Sequence, residues 1–560
     1  MAIYRSDQAQ LTFAVEAAPG GYPELASAVT DGTGSAVVNM AGGCPAGSRS
    51  ITVDSLSGIT AGEFIQIGPE IGGSGTNRSS EVRRVEFVDG STGLVVDTPT
   101  GFFHGDNTNI QVVTAVTATD ANKLITFIPG VYETVEVPDP EMAIEPRYFL
   151  GTTAKRNFVA AYKGQQTFTG SLGGFVMLNG QALRFPIGKV RTLPLEADDS
   201  THAVQSTAVT IDQSTNPPKK GDVHITVSGS HGLVINDHMV IYGAASISSA
   251  EAIATAEVRK VTGILSTNTM VLDAPLQFDH AHGDYIREVD TGSLAYYEHS
   301  ILETVDLDSV SWHVHVRDSS ETDANDFDRR YHGGKIGSMG LSAEEGGLLT
   351  CSWDGVNFLG MNHNQQAMSG FTGDLPFYTL MQSIRDSDIS LPTTEPYYFS
   401  QGQVTLFGTV VARVRSFSLT INNNEEPRYY LKRTMGRHLG PTEILEQRRE
   451  YTMSVTLALP DATASTANTA TVFKELLLEG DFGSGMQGFN VELRFDRGAD
   501  DSIVITVPDD GSASTGKNQQ GAFIRTAPHA ITEAAPMEVD ADILFRNLKI
   551  VVKDQVPVYP

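Results

Sequence analysis

Two stretches of this chain are copies of each other, and that repeat constrains the fold more than any other feature. Residues 50–67 read SITVDSLSGITAGEFIQI and residues 224–241 read HITVSGSHGLVINDHMVI. Farther along, Glu81, Val82 and Arg83 match Glu257, Val258 and Arg259. Asp97 and Pro99 match Asp273 and Pro275, His104 matches His280, and Val113 matches Val289. These later pairs stand 176 positions apart (257 − 81), whereas Ile51 and Gly58 match Ile225 and Gly232 at 174 (225 − 51). One two-residue difference in length therefore separates the copies. A register held over so many positions means that one structural unit of roughly 70 residues is used twice inside a larger frame.

The repeated unit reads as β. Ile51 and Val53, Phe64 to Ile67, Val82 and Val85, and Leu94 to Val96 form short β-branched runs. Gly58, Gly62, Asp89-Gly90 and Pro99 punctuate them as turns. A unit of this size buries a small core, which suits decoration or partner contact better than catalysis. The pairs Phe102/His104 and Phe278/His280 recur after the Pro turn and suggest a shared packing role.

The rest of the 560-residue chain, with 54 Gly, 25 Pro and recurrent β-branched residues, points to an all-β class. Residues 1–30 lack a basic start followed by an apolar stretch, and no run is long enough for a membrane helix, so neither a secretion signal nor a membrane partner is expected. Cys44 and Cys351 do not make a disulfide scaffold. With 67 Asp and Glu against 39 Lys and Arg, the formal charge of −28 argues against wrapping nucleic acid. It permits a surface that DNA slides past without sticking.

Motifs for catalysis are lacking. There is no GxSxG, HExxH or CxxC. The GxGxxG at Gly483, Gly485 and Gly488 follows a helical stretch and precedes a strand, the reverse of a phosphate-binding order. His313 and His315 share one strand face, and 320–328 and 500–511 concentrate acid, but satisfied or surface histidines and solvated loops account for them without a metal. No enzyme activity, cofactor or metal is expected.

Outside the repeat, 1–16 reads as a strand with Leu11, Phe13 and Val15 on one face, and Glu16 opens a Gly- and Pro-rich loop. Strands are expected within 124–137, at 165–172, 301–317, 489–506 and 541–552. The stretch 403–421 is the strongest of all, with 449–459 as its hairpin partner. A short helix is expected over 174–185 and a firmer one over 470–479, where Val472, Phe473, Leu476 and Leu477 share a face and Gly480 stops it. A second, weaker repeat lies here: 145–150 reads EPRYFL and 426–431 reads EPRYYL. Each leads into an Arg-bearing loop, a strand (168–172 and 451–455) and a helical candidate, so the frame has two halves of like design and reads as a β-sandwich.

The order of these pieces resembles the tail tube proteins of long-tailed bacteriophages and archaeal tailed viruses. The stretches that carry it are the opening strand ending at Glu16, Arg330-Tyr331 to Ile336, Gly346 to Ser352, Glu395 to Phe399 before a long strand ending SFSLTINNN at 416–424, and the re-entering strand and helix after it. It covers roughly 1–42, 115–195 and 290–553. The two repeated units depart from a minimal tube protein. The expected division is a tube domain over 1–42, 115–200 and 291–560, with inserted β modules at 43–114 and 218–290.

The resemblance implies a structural virion protein, located in the tail and in the host cytoplasm during assembly. Its copies would form stacked rings that conduct viral DNA without binding it specifically. Partners would be other copies, tail tip and terminator proteins, and the tape measure protein. Rings of six single-domain copies are favoured, with three copies of two domains left open. The contact arm between rings is placed at 425–443, with Arg428, Tyr429, Tyr430, Arg433, Arg437 and His438 as contact residues, a basic and aromatic patch of interface composition. Arg147, Tyr148, Phe149 and Arg156 form the second arm candidate. The competing reading is a β-rich adhesin or carbohydrate-binding protein, but 43–114 offers only phenylalanines and no Trp or Tyr for a sugar platform.

Overall fold

A computed structural model of the protein describes residues 4–16, 28–45, 47–68, 81–97, 99–100, 104–116, 126–147, 160–195, 209–214, 217–222, 224–243, 253–289, 295–318, 327–363, 394–406, 409–410, 413–430, 440–458, 489–508, 521–526 and 538–560. Nearly all of them lie in or between antiparallel strands, and the one α-helix among them is the single turn Gln181–Arg184. The all-β expectation holds.

The frame is two sheets packed face to face. The larger has twelve strands and is built around Phe327–Glu344. The N-terminal half of that strand pairs with Val310–Asp318, with Trp312 opposite Tyr331. Its C-terminal half pairs on one side with Thr350–Asn357 and on the other with Val414–Asn422. The strand changes partners at Gly333, where φ is +68° and a Cβ would stand 2.5 Å from Leu359, so a side chain is excluded. The opening strand, Tyr4–Val15, lies beside Val310–Asp318, and the expected hairpin pairing appears between Val414–Asn422 and Glu450–Ala458, with Phe417 opposite Val455.

The second sheet has seven strands, among them Gly188–Pro194, Tyr297–Glu303, Gly402–Leu406, Val491–Gly498, Asp501–Val507 and Lys549–Asp554. Alternation along both sheets sends one set of side chains into a shared core. From the large sheet come Met339, Leu341, Phe417, Leu419, Val455 and Ile543; from the smaller, Val404, Leu493, Phe495, Ile505 and Ile550. At one end the core is aromatic: Phe13 meets Trp312 and Trp353 edge-on at 5.4 and 5.6 Å, and Phe175 and Phe185 pack on Trp353. Truncating either Trp is the kind of change that costs about 3–5 kcal/mol.

Three runs that read as continuous are divided between the sheets. Within 403–421, Gly402–Leu406 belongs to the smaller sheet and Val414–Asn422 to the larger. Tyr297–Glu303 and Val310–Asp318 are likewise separated, with Val305 exposed in the crossing, and so are Glu538–Phe545 and Lys549–Asp554. The reading of 174–185 as a helix also needs correction. A strand runs to Val176, and only Gln181–Arg184 is helical. Gly180 starts that turn because a Cβ there would stand 2.4 Å from Val552. The helix expected at 470–479 lies outside the described residues.

The repeated stretches each sit in a six-stranded sheet with the same strand order. The first contains Ala28–Val37, N-terminal to the repeat itself, and the second Val209–Thr210 in the same place. Their registers coincide. Phe64 pairs with Val113 as His238 pairs with Val289, Ile65 with Arg83 as Met239 with Arg259, and Ile51 with Leu94 as Ile225 with Met270. Equivalent apolar clusters fill them: Ile51, Ile65, Ile67, Val85, Leu94 and Ile110 in the first; Ile225, Met239, Ile241, Val261, Met270 and Ile286 in the second.

Candidate functional site

The side chains that the large sheet turns away from its core form rows of short hydroxyls and acids. One row runs Thr350, Ser342, Ser418, Ser454 and Asp542 across five neighbouring strands. The next runs Ser352, Gly340, Thr420, Thr452 and Leu544, and a third Glu344, Ser416, Thr456 and Asp540. Their hydroxyls bond one another or the nearby acids. Ser342 Oγ lies 3.1 Å from Thr350 Oγ1, and Thr456 Oγ1 donates to Asp540 at 2.8 Å. These rows carry no lysine or arginine. At the margin, Arg415 is held by Glu345 and Glu538, and Arg525 by Asp542. Among the described residues, these rows offer phosphate no free cation.

Two β ribbons leave the frame. The first pairs Glu141–Arg147 with Ala160–Thr167, and the second pairs Glu426–Arg428 with Glu443–Leu445. Both EPR segments therefore stand on the outgoing strand of a ribbon. The first ribbon returns into Thr169–Val176, the second into Glu450–Ala458, and both strands belong to the large sheet. The ribbons touch: the Tyr429 hydroxyl donates to Gln166 O at 3.2 Å. The Tyr430 hydroxyl donates to Glu443 and is half exposed, and Arg428 pairs with Glu426 at 2.8 Å. Burial raises the Tyr429 pKa; the bond to Glu443 raises that of Tyr430. Arg433, Arg437 and His438 lie outside the described residues, as do Tyr148, Phe149 and Arg156; Arg147 is described by its backbone alone. The first ribbon also exposes Ile144 and Tyr162.

Glu16, singled out in sequence only as the end of the opening strand, anchors that strand. It accepts hydrogen bonds from Ser309 Oγ at 2.7 Å, from the Gly333 N–H at 3.0 Å and from Arg330 at 3.2 Å. His313 and His315 are buried on Val310–Asp318. Ser311 Oγ lies 3.0 Å from His313 Nε2, and burial, together with Arg330, keeps the His313 pKa well below the ordinary value. Among the described residues no three His, Cys, Asp or Glu are grouped to hold a metal ion, and both cysteines are buried and free.

The matched polar residues of the two modules meet in their interiors. Glu81 pairs with Arg83 at 2.5 Å and with His104 Nε2 at 2.6 Å; Glu257 pairs with Arg259 at 2.6 Å and with His280 Nε2 at 2.8 Å. In the second module Asp284 stands 3.3 Å from His280 Nδ1, and the N–H groups of Gln277 and Phe278 donate to Glu257. Burial opposes charge on His280, but the bonds to Asp284 and Glu257 outweigh it, and the pKa is pushed up to about 9. The repeat exposed these positions in sequence; their contact over 23 residues became visible only in the fold.

The second module is also fastened to the frame. Val240, Tyr242, Ala256, Val258 and Val289 pack against Tyr297 and Val558. Gln277 accepts from Val190 N–H at 2.6 Å and donates to Tyr559 O at 3.0 Å. Tyr559 stacks on His299 at 3.6 Å and donates to Asp554 at 2.5 Å.

No helix among the described residues is long and apolar enough to cross a membrane. Residues 6–544 match the sequence model of a family described as Phage tail tube protein. No curated protein matches the chain.

Proposed function

The chain belongs to the phage tail tube protein family, and on that premise we propose that its copies close into rings that stack into the conduit for viral DNA. The observation that carries this reading is the open face of the large sheet, whose described rows hold Ser, Thr and acids and no lysine or arginine. Turned inward, such a face lets a polyanion pass without gripping it. The two ribbons are the stacking contacts, with Arg428, Tyr429, Tyr430, Arg433, Arg437 and His438 on one and Arg147, Tyr148, Phe149 and Arg156 on the other. The inserted modules, 43–114 and 218–290, project outward. Tail tip, terminator and tape measure proteins meet the tube at its ends and in its lumen, and no catalysis is assigned to it.

Rings of six copies are the first reading. Three copies per ring is the second, and one observation favours it: each chain supplies two ribbons of the same design, both returning into one sheet. Mass measurement of isolated rings separates the two. Electron microscopy of the purified protein at high concentration tests the tube itself, and a protein that stays monomeric at every salt concentration overturns it. Tyr430→Ala with Arg437→Ala leaves folded subunits that fail to elongate, because truncating an interface Tyr or Arg costs about 2 kcal/mol and stacked rings multiply the loss. Elongation of that variant at the parental rate places the contact elsewhere.

A further inference from the structure

The root of the second ribbon contains a carboxyl group that has no hydrogen-bond partner among the described residues. Asn423 closes the root on the frame: its backbone N–H donates to Gly337 O at 2.8 Å, and its side-chain nitrogen donates to Pro186 O at 3.0 Å and Ile336 O at 2.9 Å. Asn424, at φ 48°, turns the chain and donates to Arg448 O at 2.8 Å. Glu425 follows, and both of its carboxylate oxygens are covered and make no hydrogen bond.

Three charged groups face it, one from a strand of the frame and two from the connection between Glu443–Leu445 and Glu450–Ala458. Lys335, on Phe327–Glu344, is held by Glu446 and by Ile444 O at 3.4 Å. Glu446, beyond the returning strand of the ribbon, also accepts from Leu307 N–H at 3.0 Å. Arg449, leading into Glu450–Ala458, donates to Asn423 Oδ1 at 2.7 Å, to the Tyr451 hydroxyl at 3.4 Å and to Thr304 O at 3.2 Å. Both cations are engaged elsewhere, and Glu446 repels a second negative charge. Ionised in place, Glu425 would be a covered charge with no donor among the described residues. Burial is the largest influence on it; Lys335 and Arg449 offset burial and Glu446 only in part, and its carboxyl is pushed up to about 8. In the first ribbon the position before EPR is Ile144, which is exposed and does not titrate.

We propose that Glu425 is a proton-operated latch for the second ribbon, whose neutral carboxyl lets the root close on the frame and whose ionised carboxylate drives it open. The latch does not depend on the tube reading, since it acts within one subunit. An ordinary glutamate ionises near 4.5. The closed root is therefore fully held below that pH, loosens as pH rises through about 8, and loses nothing further above it.

The test is hydrogen exchange on the unassembled full chain from about pH 6 to about pH 9, corrected for intrinsic rates, in the parent, Glu425→Gln and Glu425→Ala. Opening of Glu426–Arg428 and Glu443–Leu445 should rise about a hundredfold in the parent, because the opened carboxyl is ionised throughout that range while the closed one stays protonated up to about pH 8, two units of differential protonation. It should stay flat in both variants, and Ala160–Thr167 in the first ribbon should stay flat in all three. A parent ribbon indifferent to pH overturns the latch, and so does a variant with the parental slope. Should Glu425→Gln fail to fold, Glu425→Ala decides. Carbon-13 titration of the parental carboxyl gives a second readout, and a midpoint at the ordinary glutamate value overturns the proposal.

Discussion

In the first module Glu81 holds Arg83 and His104, and in the second Glu257 holds Arg259 and His280, on strands of identical register. The copies part company at two places. Where the second has Asp284 against its histidine, the first has Thr108, whose hydroxyl donates to Gly105 O at 2.8 Å. The outer face differs as well. Val240, Tyr242, Tyr285 and Arg287 on the docked face of the second module correspond to Gln66, Gly68, Asn109 and Gln111 in the first. The repeat thus keeps what lies inside the unit and varies what the unit touches. The apolar face is found where a frame strand and residues 556–560 stand ready to cover it.

The largest expected effect concerns the shared carboxylate. Glu257→Ala leaves Arg259 and a charged His280 buried without their counter-ion, a loss of about 3–5 kcal/mol. Glu81→Ala should cost less, because Thr108 stands where the second module has Asp284, and the first module has no second carboxylate fixing a charge on its histidine. Exchange rates resolved by module measure both, and equal losses would break the comparison. Next comes pH. The His280 pKa is raised, so its contribution is full below the ordinary value of 6.5 and is lost as pH rises through about 9, at about 1.4 kcal/mol per unit. Asp284→Thr should flatten that slope in alkaline unfolding of the second module.

Docking is the third lever. Val240→Gln, which installs the first module's residue, should cost about 2 kcal/mol and open the seam at Val558 to protease before the module itself unfolds. A seam that stays protected would mean that Gln277 and Tyr559 hold the module alone. The smallest effect is the reciprocal one. Thr108→Asp should give His104 the second partner that His280 has and stabilise the first module by about 1 kcal/mol, read as a rise in its unfolding temperature near neutral pH.

Much of this was legible in the sequence. The repeat predicted two like units and picked out the matched Glu, Arg and His positions, though not that they touch one another. Period-two alternation marked the strands, and EPRY marked both ribbons. Such features are local or are comparisons of the chain with itself, and side-chain periodicity determines them without reference to distant partners. Three things needed the tertiary structure. Alternation is the same in either layer, so 403–421 read as one strand although its halves lie in opposite sheets. The serine rows exist only across strands, because an antiparallel neighbour is chosen by long-range pairing: Ser418 faces Ser342 and Ser454, more than thirty positions away on either side. Glu425 looks like any acid at a loop start; only the packing, in which Lys335 is taken by Glu446 and Arg449 by Asn423, Tyr451 and Thr304, leaves its carboxyl covered and without a donor among the described residues.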